Sequence, residues 1–303
     1  MGKRPRVLFL LIDGVGLGVQ DPARNPLYAG ACPTLVRLLE HEAVPIDACL
    51  GVAGLPQSAT GQTTLLTGVN AAQHVGRHVE GFPGPALREL IEHHNLYDQL
   101  KPLGVTTTFA NAYFVSDVAD VEQRRLQSVT TVAALKAFGG VRDVQRLLRN
   151  EAVYHDLTRA SLRVRGYDGP IITPEEAAAH LMRVAEDYDM TLFEYFLTDR
   201  AGHKADRAAL LAVLGEFDRF LASLVAFAAR PGCLLALTSD HGNVESSDHR
   251  GHTMNPVPFV ALGTGRECLR RRVRSVQDVT PALVELYLTA RAAHGVSEPG
   301  VGA

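Results

Sequence analysis

The chain has 303 residues, of which 46% are hydrophobic, so it can bury a substantial core in one large domain or two modest ones. Its net charge of -3 gives no reason to expect nucleic acid or an anionic membrane as a partner, so local charge such as bound metal ions would have to attract an anionic ligand. Four scattered cysteines and no long apolar stretch exclude a cysteine framework and a spanning helix, which leads us to expect a cytoplasmic protein.

The first predicted element is a strand. The run 7–12 is apolar, rich in branched residues and followed at once by Asp13. Such a short run is typical of a parallel strand buried on both faces. Asp13 would then lie where open α/β sheets gather their active-site groups. The stretch 34–40 predicts a helix, and a turn over 55–61 leads into a helical segment at about 62–66.

The middle of the chain continues with helix and strand signals and then changes character. Leucines at helical spacing predict one helix over 85–100, and a threonine-rich stretch predicts a strand over 105–110. From 111 to 169 the sequence is rich in arginine and poor in strand signals. We interpret this segment as an inserted cap subdomain.

The remaining elements restore the alternation of strands and helices. Thr173 and Glu176 around Pro174 have the spacing of a capping box, which predicts the start of a helix. Strands are predicted over 191–197, 233–237 and 257–262, and helices over 208–229 and 276–288. The whole pattern predicts a doubly wound α/β fold with a mainly parallel sheet, whose core comprises residues 1–110 and 170–303.

Acidic and histidine side chains follow several predicted strands, where the carboxyl ends of parallel strands meet. They are Asp13, Asp199, His203, Asp240, His241 and His252. A lone Asp-Gly is usually a turn and a lone Asp-His pair usually a surface feature, but four such features in one register favour a metal site. Imidazole suits zinc and carboxylate suits magnesium or manganese, so the mixed set fits two divalent ions.

Ser58 is the candidate nucleophile, because it precedes a helix whose N-terminus can hold a phosphate group. The alternative is that Ser58 or Thr60 only caps this helix. Weaker candidates for contact with an anionic substrate carry basic side chains: His74, Arg77, His78, Arg124, Arg125, Arg200 and Lys204. Asp248 and His249 lie in the loop before His252 and could orient the ligand histidines.

Five segments, 7–16, 57–62, 199–203, 239–245 and 252–258, occur in an order that resembles the alkaline phosphatase superfamily. The resemblance covers 5–75 and 190–290 and is closest to the branch of cofactor-independent phosphoglycerate mutase and phosphopentomutase. It implies that one metal is held by Asp199, His203 and His252. It implies that the other is held by Asp13, Asp240 and His241, with Ser58 coordinating it and becoming transiently phosphorylated. Manganese is the metal expected in this branch.

Two departures leave the substrate open. The mutases have a histidine four residues after the nucleophile, where this chain has Gln62, and segment 111–169 does not match their caps. We therefore expect a phosphoryl-transfer enzyme acting on a small phosphorylated metabolite. A phosphatase is favoured over a phosphomutase because a small cap is poorly suited to excluding water. A non-catalytic metal-binding protein is a third reading, which the full ligand set opposes.

The candidate substrate contacts of this site are Thr60, Gln62, Arg77 and His78. The sequence leaves the identity of the phosphate ester open. It also does not indicate the oligomeric state or which of manganese, zinc and magnesium is the native metal.

Overall fold

A computed structural model describes residues 4–204, 206–247 and 251–294. Asp248, His249 and the tail from Gly295 lie outside the described residues. The described residues form one six-stranded sheet in the order β2-β6-β5-β1-β4-β3. The strands are β1 (Arg6–Ile12), β2 (Val44–Ile46), β3 (Thr107–Phe109), β4 (Met190–Tyr195), β5 (Cys233–Thr238) and β6 (Val257–Gly263). Three pairings, β1 with β4, β1 with β5 and β3 with β4, are parallel, and β6 runs antiparallel to β5 and β2.

Helices cover both faces of this sheet, which confirms the predicted α/β class. The first seven are α1 (Pro33–His41), α2 (Ser58–Thr67), α3 (Ala71–Val75), α4 (Pro85–His94), α5 (Leu96–Leu100), α6 (Ala119–Glu122) and α7 (Val129–Phe138). The others are α8 (Val144–Leu148), α9 (Pro174–Glu186), α10 (Leu197–Gly202), α11 (Arg207–Ala228), α12 (Arg266–Arg272) and α13 (Val279–His294). None of the helices in the described part of the chain is long and apolar enough to cross a membrane.

The central strand β1 explains why both sheet faces are covered. Its side chains alternate between the faces, as the period of a strand requires. Val7, Phe9 and Leu11 join a core with α2, α4, α5, α7 and α13. Leu8 and Leu10 join the opposite core with α1, α9 and α11. Because β1 is buried on both sides, its carboxyl end can present a polar side chain only at the edge of the sheet.

Two predicted helices begin or end elsewhere than expected. The single helix over 85–100 is wrong, because Asn95 is extended and its side chain accepts a hydrogen bond from the Tyr97 N–H, which starts α5. Helix α2 begins at Ser58 rather than at about Gln62. The N-cap of α2 is Gln57, so Ser58 occupies the first helical position and its hydroxyl is not used as the cap.

Residues 111–169 lie between β3 and α9 and contain α6, α7, α8 and a short 3-10 helix at Ala160–Arg165. Part of this segment has its own small core, which includes Leu147, Tyr154 and Tyr167. Helix α7 instead packs against the main core through Val129. The segment is therefore attached to the core on one sheet face through α7 and to the core on the other face through Val153 and Leu157.

Candidate metal centre

Three neighbouring strands bring the predicted ligands together. Asp13 follows β1, Asp240 follows β5, and Asp199 lies in α10 directly after β4. Close packing at this edge depends on Gly14, which has a positive φ of 74°. A Cβ atom on Gly14 would lie 2.8 Å from the Cβ of Asp199, so only glycine allows the loop after β1 to approach α10 this closely.

The first cluster surrounds His241, whose side chain is fully buried. Its Nε2 lies 3.2 Å from Asp13 Oδ1, 3.7 Å from Asp240 Oδ2 and 2.9 Å from Ser58 Oγ. Gln62 donates from Nε2 to Asp13 Oδ2 at 3.2 Å. The candidate nucleophile therefore shares one small volume with two carboxylates and an imidazole.

The second cluster surrounds Asp199. The Nε2 atoms of His203 and His252 lie 3.3 Å and 3.5 Å from its carboxylate oxygens, and 3.1 Å from each other. His252 Nδ1 lies 2.8 Å from the carbonyl oxygen of Pro56, so its Nδ1–H donates there and Nε2 faces the cluster as an acceptor. Asn243 donates to Asp199 Oδ1 at 2.6 Å and fixes the carboxylate.

The two clusters adjoin through a pair of stacked imidazoles. The ring centroids of His241 and His252 are 3.7 Å apart with an angle of 17° between the ring planes. Ligand atoms of Asp13, Asp240 and His241 all lie within 4.8 Å of one another, and so do those of Asp199, His241 and His252. The division of ligands between two metals implied by the family resemblance stays a prediction, because His241 is close to both clusters.

Electrostatics shows that this edge of the sheet has an excess of negative charge. Burial opposes a charge on His241, but the carboxylates of Asp240 and Asp13 outweigh burial and raise its pKa to about 10. Burial, followed by the charge of Asp240, raises the pKa of Asp13 well above its ordinary value. Burial would also raise the pKa of Asp199, but the neighbouring imidazoles of His252 and His241 lower the pKa to about 2.

The chemistry of the cluster fits bound cations. Asp13 Oδ1 and Asp240 Oδ2 are buried and receive no well-directed hydrogen bond from the described residues. The two imidazole Nε2 atoms of His203 and His252 face each other, so at least one of them presents an unshared lone pair. Buried acceptors that converge in this way are costly in a protein interior unless positive charge balances them, which a bound cation or the proton on His241 would supply.

The four candidate substrate contacts are placed differently. Gln62 lines the cavity in front of Ser58. Thr60 is buried and its Oγ1 is used locally, donating to the Gln57 carbonyl and accepting from the Val79 N–H. Arg77 is exposed and His78 contacts the carbonyl of Val52, and neither lines the cavity.

The cavity in front of Ser58 has a volume of about 530 Å³ and contains Asp13 and Asp199 in its wall. Such a volume is typical of a small-molecule site. Arg124 and Arg200, which were weak candidates in the sequence, also line it. Glu194 lines it as well, although sequence analysis missed it; its signal was a lone acid inside the apolar strand β4. Burial raises the pKa of Glu194 to about 7.

Glu245 is a second residue that sequence analysis missed. Its buried Oε2 accepts from the N–H groups of Gly16 and Asn243 at 2.9 and 2.8 Å. Its Oε1 accepts from the side chains of Thr253 and Asn255. One carboxylate therefore connects the loop after β1 with both ends of the β5–β6 connection, which carries His252.

Replacing Glu245 with glutamine is expected to destabilise the fold by about 3 kcal/mol, because an amide N–H would face groups that are themselves donors. Urea unfolding of the metal-free protein would measure this. The matched control is Glu89→Gln on the exposed face of α4, which is expected to change stability by less than about 0.5 kcal/mol. Equal stability of Glu245→Gln and wild type would show that the carboxylate does not hold these loops.

Gly61 allows α2 to approach the chain at Asp240. A Cβ atom at Gly61 would lie 2.8 Å from the carbonyl oxygen of Asp240. Gly215 is also inside a helix, α11, but its Cβ would be 3.5 Å from the nearest atom, an ordinary contact. Alanine substitution at these two glycines is therefore expected to change the stability of the fold in opposite directions.

Alanine inside a helix normally stabilises by about 0.5–1 kcal/mol relative to glycine, and we expect this for Gly215→Ala. For Gly61→Ala the clash with backbone outweighs this gain, giving a net loss of about 1–3 kcal/mol and roughly tenfold weaker metal binding. Chemical unfolding and metal titration of both variants measure these effects. Stabilisation of both variants would contradict the close approach of α2.

Comparison with known proteins agrees with this geometry. A model of the metalloenzyme superfamily matches residues 5–289. A 135-residue part is 33% identical to a 2,3-bisphosphoglycerate-independent phosphoglycerate mutase of Cereibacter sphaeroides, covering 42% of this chain and 26% of that protein. The chain thus matches about a quarter of the length of this curated relative.

Solved structures show the same fold at low sequence identity. The alkaline phosphatase of Thermus thermophilus has a TM-score of 0.58 and 13% identity, covering 96% of both chains. That of the Antarctic bacterium TAB5 has a TM-score of 0.57 and 12% identity, covering 94% of this chain and 99% of the other. The resemblance seen in the motifs is confirmed: the chain belongs to the metalloenzyme superfamily and has an alkaline phosphatase-like fold.

Proposed function

We propose that the chain is a two-metal phosphoryl-transfer enzyme that acts on a small phosphate ester through a phosphoserine, and that it is a phosphatase. The observation that carries the proposal is the position of Ser58. Its Oγ lies 2.9 Å from His241 Nε2, at the start of α2 and in the wall of the cavity. Membership of the metalloenzyme superfamily and the likeness to alkaline phosphatases support it.

Two divalent ions are proposed, manganese first, with zinc or magnesium as alternatives. Asp13, Asp240, His241 and Ser58 would hold one, and Asp199, His203 and His252 the other. Bound there, the ions would supply positive charge to the attacking and leaving oxygens of an in-line displacement. The buried acceptors of Asp13 and Asp240 that lack a hydrogen-bond donor support this assignment.

The chain's own groups position the ester. The first-turn N–H groups of α2, at Ser58 and Ala59, have no carbonyl partner within the helix and can bind phosphate oxygens. Ser58 Oγ then attacks phosphorus, the ester oxygen leaves as the alcohol, and the serine proton ends on that alcohol. Water hydrolyses the phosphoserine, which restores the Ser58 hydroxyl and releases inorganic phosphate.

The segment 111–169 is proposed to be a cap over this site. It contributes Tyr113, Phe114, Arg124 and Tyr154 to the cavity wall opposite Ser58. A phosphomutase is the second candidate, because the curated relative is a mutase. A mutase must keep the dephosphorylated intermediate bound, let it reorient and exclude water meanwhile. A short cap is poorly suited to this, so we favour hydrolysis.

A panel of phosphate esters, tested on protein loaded with manganese, zinc or magnesium, distinguishes the candidates. Inorganic phosphate released in proportion to ester consumed supports the phosphatase. Isomerised ester without free phosphate would establish the phosphomutase instead. Stable metal binding with no change in any ester would favour a non-catalytic metal-binding protein. Metal content per chain, measured by mass spectrometry, decides whether two ions bind.

A further inference from the structure

Part of the cavity wall is built from aromatic rings. Phe114, Tyr154, His155 and Phe196 all line the cavity that also contains Ser58. Phe114, His155 and Phe196 are only partly buried, so ring surface remains open to the cavity. A three-carbon phosphate ester offers nothing that would cover such a surface, so the wall indicates a larger, flatter group.

Three of these rings form a continuous ladder. The ring centroids of Tyr154 and His155 are 4.0 Å apart, and those of His155 and Phe196 are 4.8 Å apart, with tilts of 39° and 37°. Phe196 is the N-cap of α10, three residues before Asp199. The ladder is therefore fixed relative to the metal ligands, while its other two members come from the segment 111–169.

Arginines lie beside this aromatic wall. Arg165 lies over the ring of Phe114 at 5.4 Å, and Arg200 lies over that of Phe196 at 6.0 Å. Arg124 also lines the cavity, and its guanidinium makes no ion pair or hydrogen bond with the described residues. Burial lowers the pKa of His155 to about 4, so this ring is neutral at physiological pH and adds no repulsion against the arginines.

We infer that the cavity binds a phosphate ester whose alcohol carries a flat aromatic ring, as a nucleoside monophosphate does, with that ring against His155 and Phe196 and the phosphate toward Ser58. This rests on the proposed function for the position of the phosphate. Flat heterocycles stack on aromatic side chains with little dependence on their exact identity. The guanidinium groups supply positive charge for the phosphate and its linkage.

The test compares AMP with ribose 5-phosphate, which carry the same phosphate on the same primary alcohol and differ in the base. Calorimetric titration of manganese-loaded Ser58→Ala measures their binding without turnover. We expect AMP to bind at least about tenfold more tightly, the lower part of the range for stacking one base on an aromatic side chain. Equal affinities for the two esters would overturn the inference.

Two ring deletions locate the effect, each made in the Ser58→Ala background. His155→Leu and Phe196→Leu retain apolar bulk but remove the ring, and each is expected to reduce the affinity ratio of AMP to ribose 5-phosphate at least threefold. The control is Phe138→Leu, an exposed ring on α7 that does not line the cavity. The ratio is measured within each variant, so a general loss of folded protein does not mimic the effect. An unchanged ratio in both deletions would overturn the inference.

Turnover by the wild-type chain separates this inference from the proposed function. If AMP binds preferentially but no ester is consumed with any metal, the aromatic site stands and the phosphatase proposal fails. If both esters are hydrolysed with equal kcat/KM and bind equally, the phosphatase proposal stands and the aromatic site fails. Preferential binding together with a higher kcat/KM for AMP supports both.

Discussion

Replacing Ser58 with alanine is expected to lower the rate of phosphate release by roughly a thousandfold or more, because no other described hydroxyl occupies its position. Ser58 Oγ lies at the first position of α2, 2.9 Å from His241 Nε2. Alanine forms helices at least as readily as serine, so the variant is expected to keep the fold. Initial rates on the best ester of the panel, at saturating metal, measure the loss.

A covalent intermediate gives a second, independent readout. Acid quenching during turnover is expected to leave a phosphoryl group on the wild-type peptide that contains Ser58, and none on the variant. The matched control is Ser223→Ala on α11, whose hydroxyl contacts only the carbonyl of Arg219 and whose turnover should equal that of wild type. Ser58→Ala retaining more than about a tenth of the wild-type rate would exclude Ser58 as nucleophile.

The clustering of the candidate ligands at one sheet edge could be predicted from sequence because it depends on local periodicity. Buried strands are recognised in a sequence as short apolar runs, and the residues that follow parallel strands lie at one edge of the sheet. Asp13 after β1 and Asp240 after β5 are of this kind, and the structure places both beside His241. The spacing of Asp199 and His203 also corresponds to one turn of α10.

Contacts between distant loops could not be predicted in the same way. Glu245 follows the recognisable Asp-His-Gly-Asn stretch, but its partners Gly16 and Asn255 lie in separate loops with no periodic signal. In the aromatic ladder, His155 contacts Phe196 from a different segment of the chain. This contact depends on the path of residues 111–169, which the sequence pattern does not reveal. Similarly, Asn95 follows α4 and caps the start of α5 through a side-chain hydrogen bond that helical spacing alone does not reveal.

The metal-free protein is expected to lose thermal stability as pH rises from about 6.5 to about 10. His241 has an ordinary pKa of 6.5 when unfolded; burial opposes its charge in the folded chain, but Asp240 and Asp13 raise its pKa to about 10. The proton bound by the folded state therefore stabilises fully below 6.5 and is lost as pH rises through 10. Asp13, whose pKa burial and Asp240 raise, contributes in the same direction.

Metal binding is expected to reverse this trend, because it requires a deprotonated imidazole and supplies the positive charge that the proton supplied. Thermal unfolding in a chelator, compared with manganese at about a thousandfold excess over Kd, should show Tm raised by roughly 10 °C at about pH 8. The shift should be smaller at about pH 6, where protons compete for His241. A shift that does not depend on pH would contradict the placement of His241 among the ligands.

Asp240→Asn tests whether the carboxylates at this edge exist to hold cations. Asp240 is fully buried, and its Oδ2 receives no hydrogen bond from the described residues while it repels Asp13. An amide of the same shape removes that repulsion and also the attraction of Asp240 to protonated His241. The metal-free variant should therefore lose less stability than wild type as pH rises from about 6.5 to about 10, and should lose most of the manganese-induced shift. Asp168→Asn, at an exposed position, should retain the full shift. An Asp240→Asn variant that keeps the full manganese-induced shift would exclude Asp240 as a metal ligand.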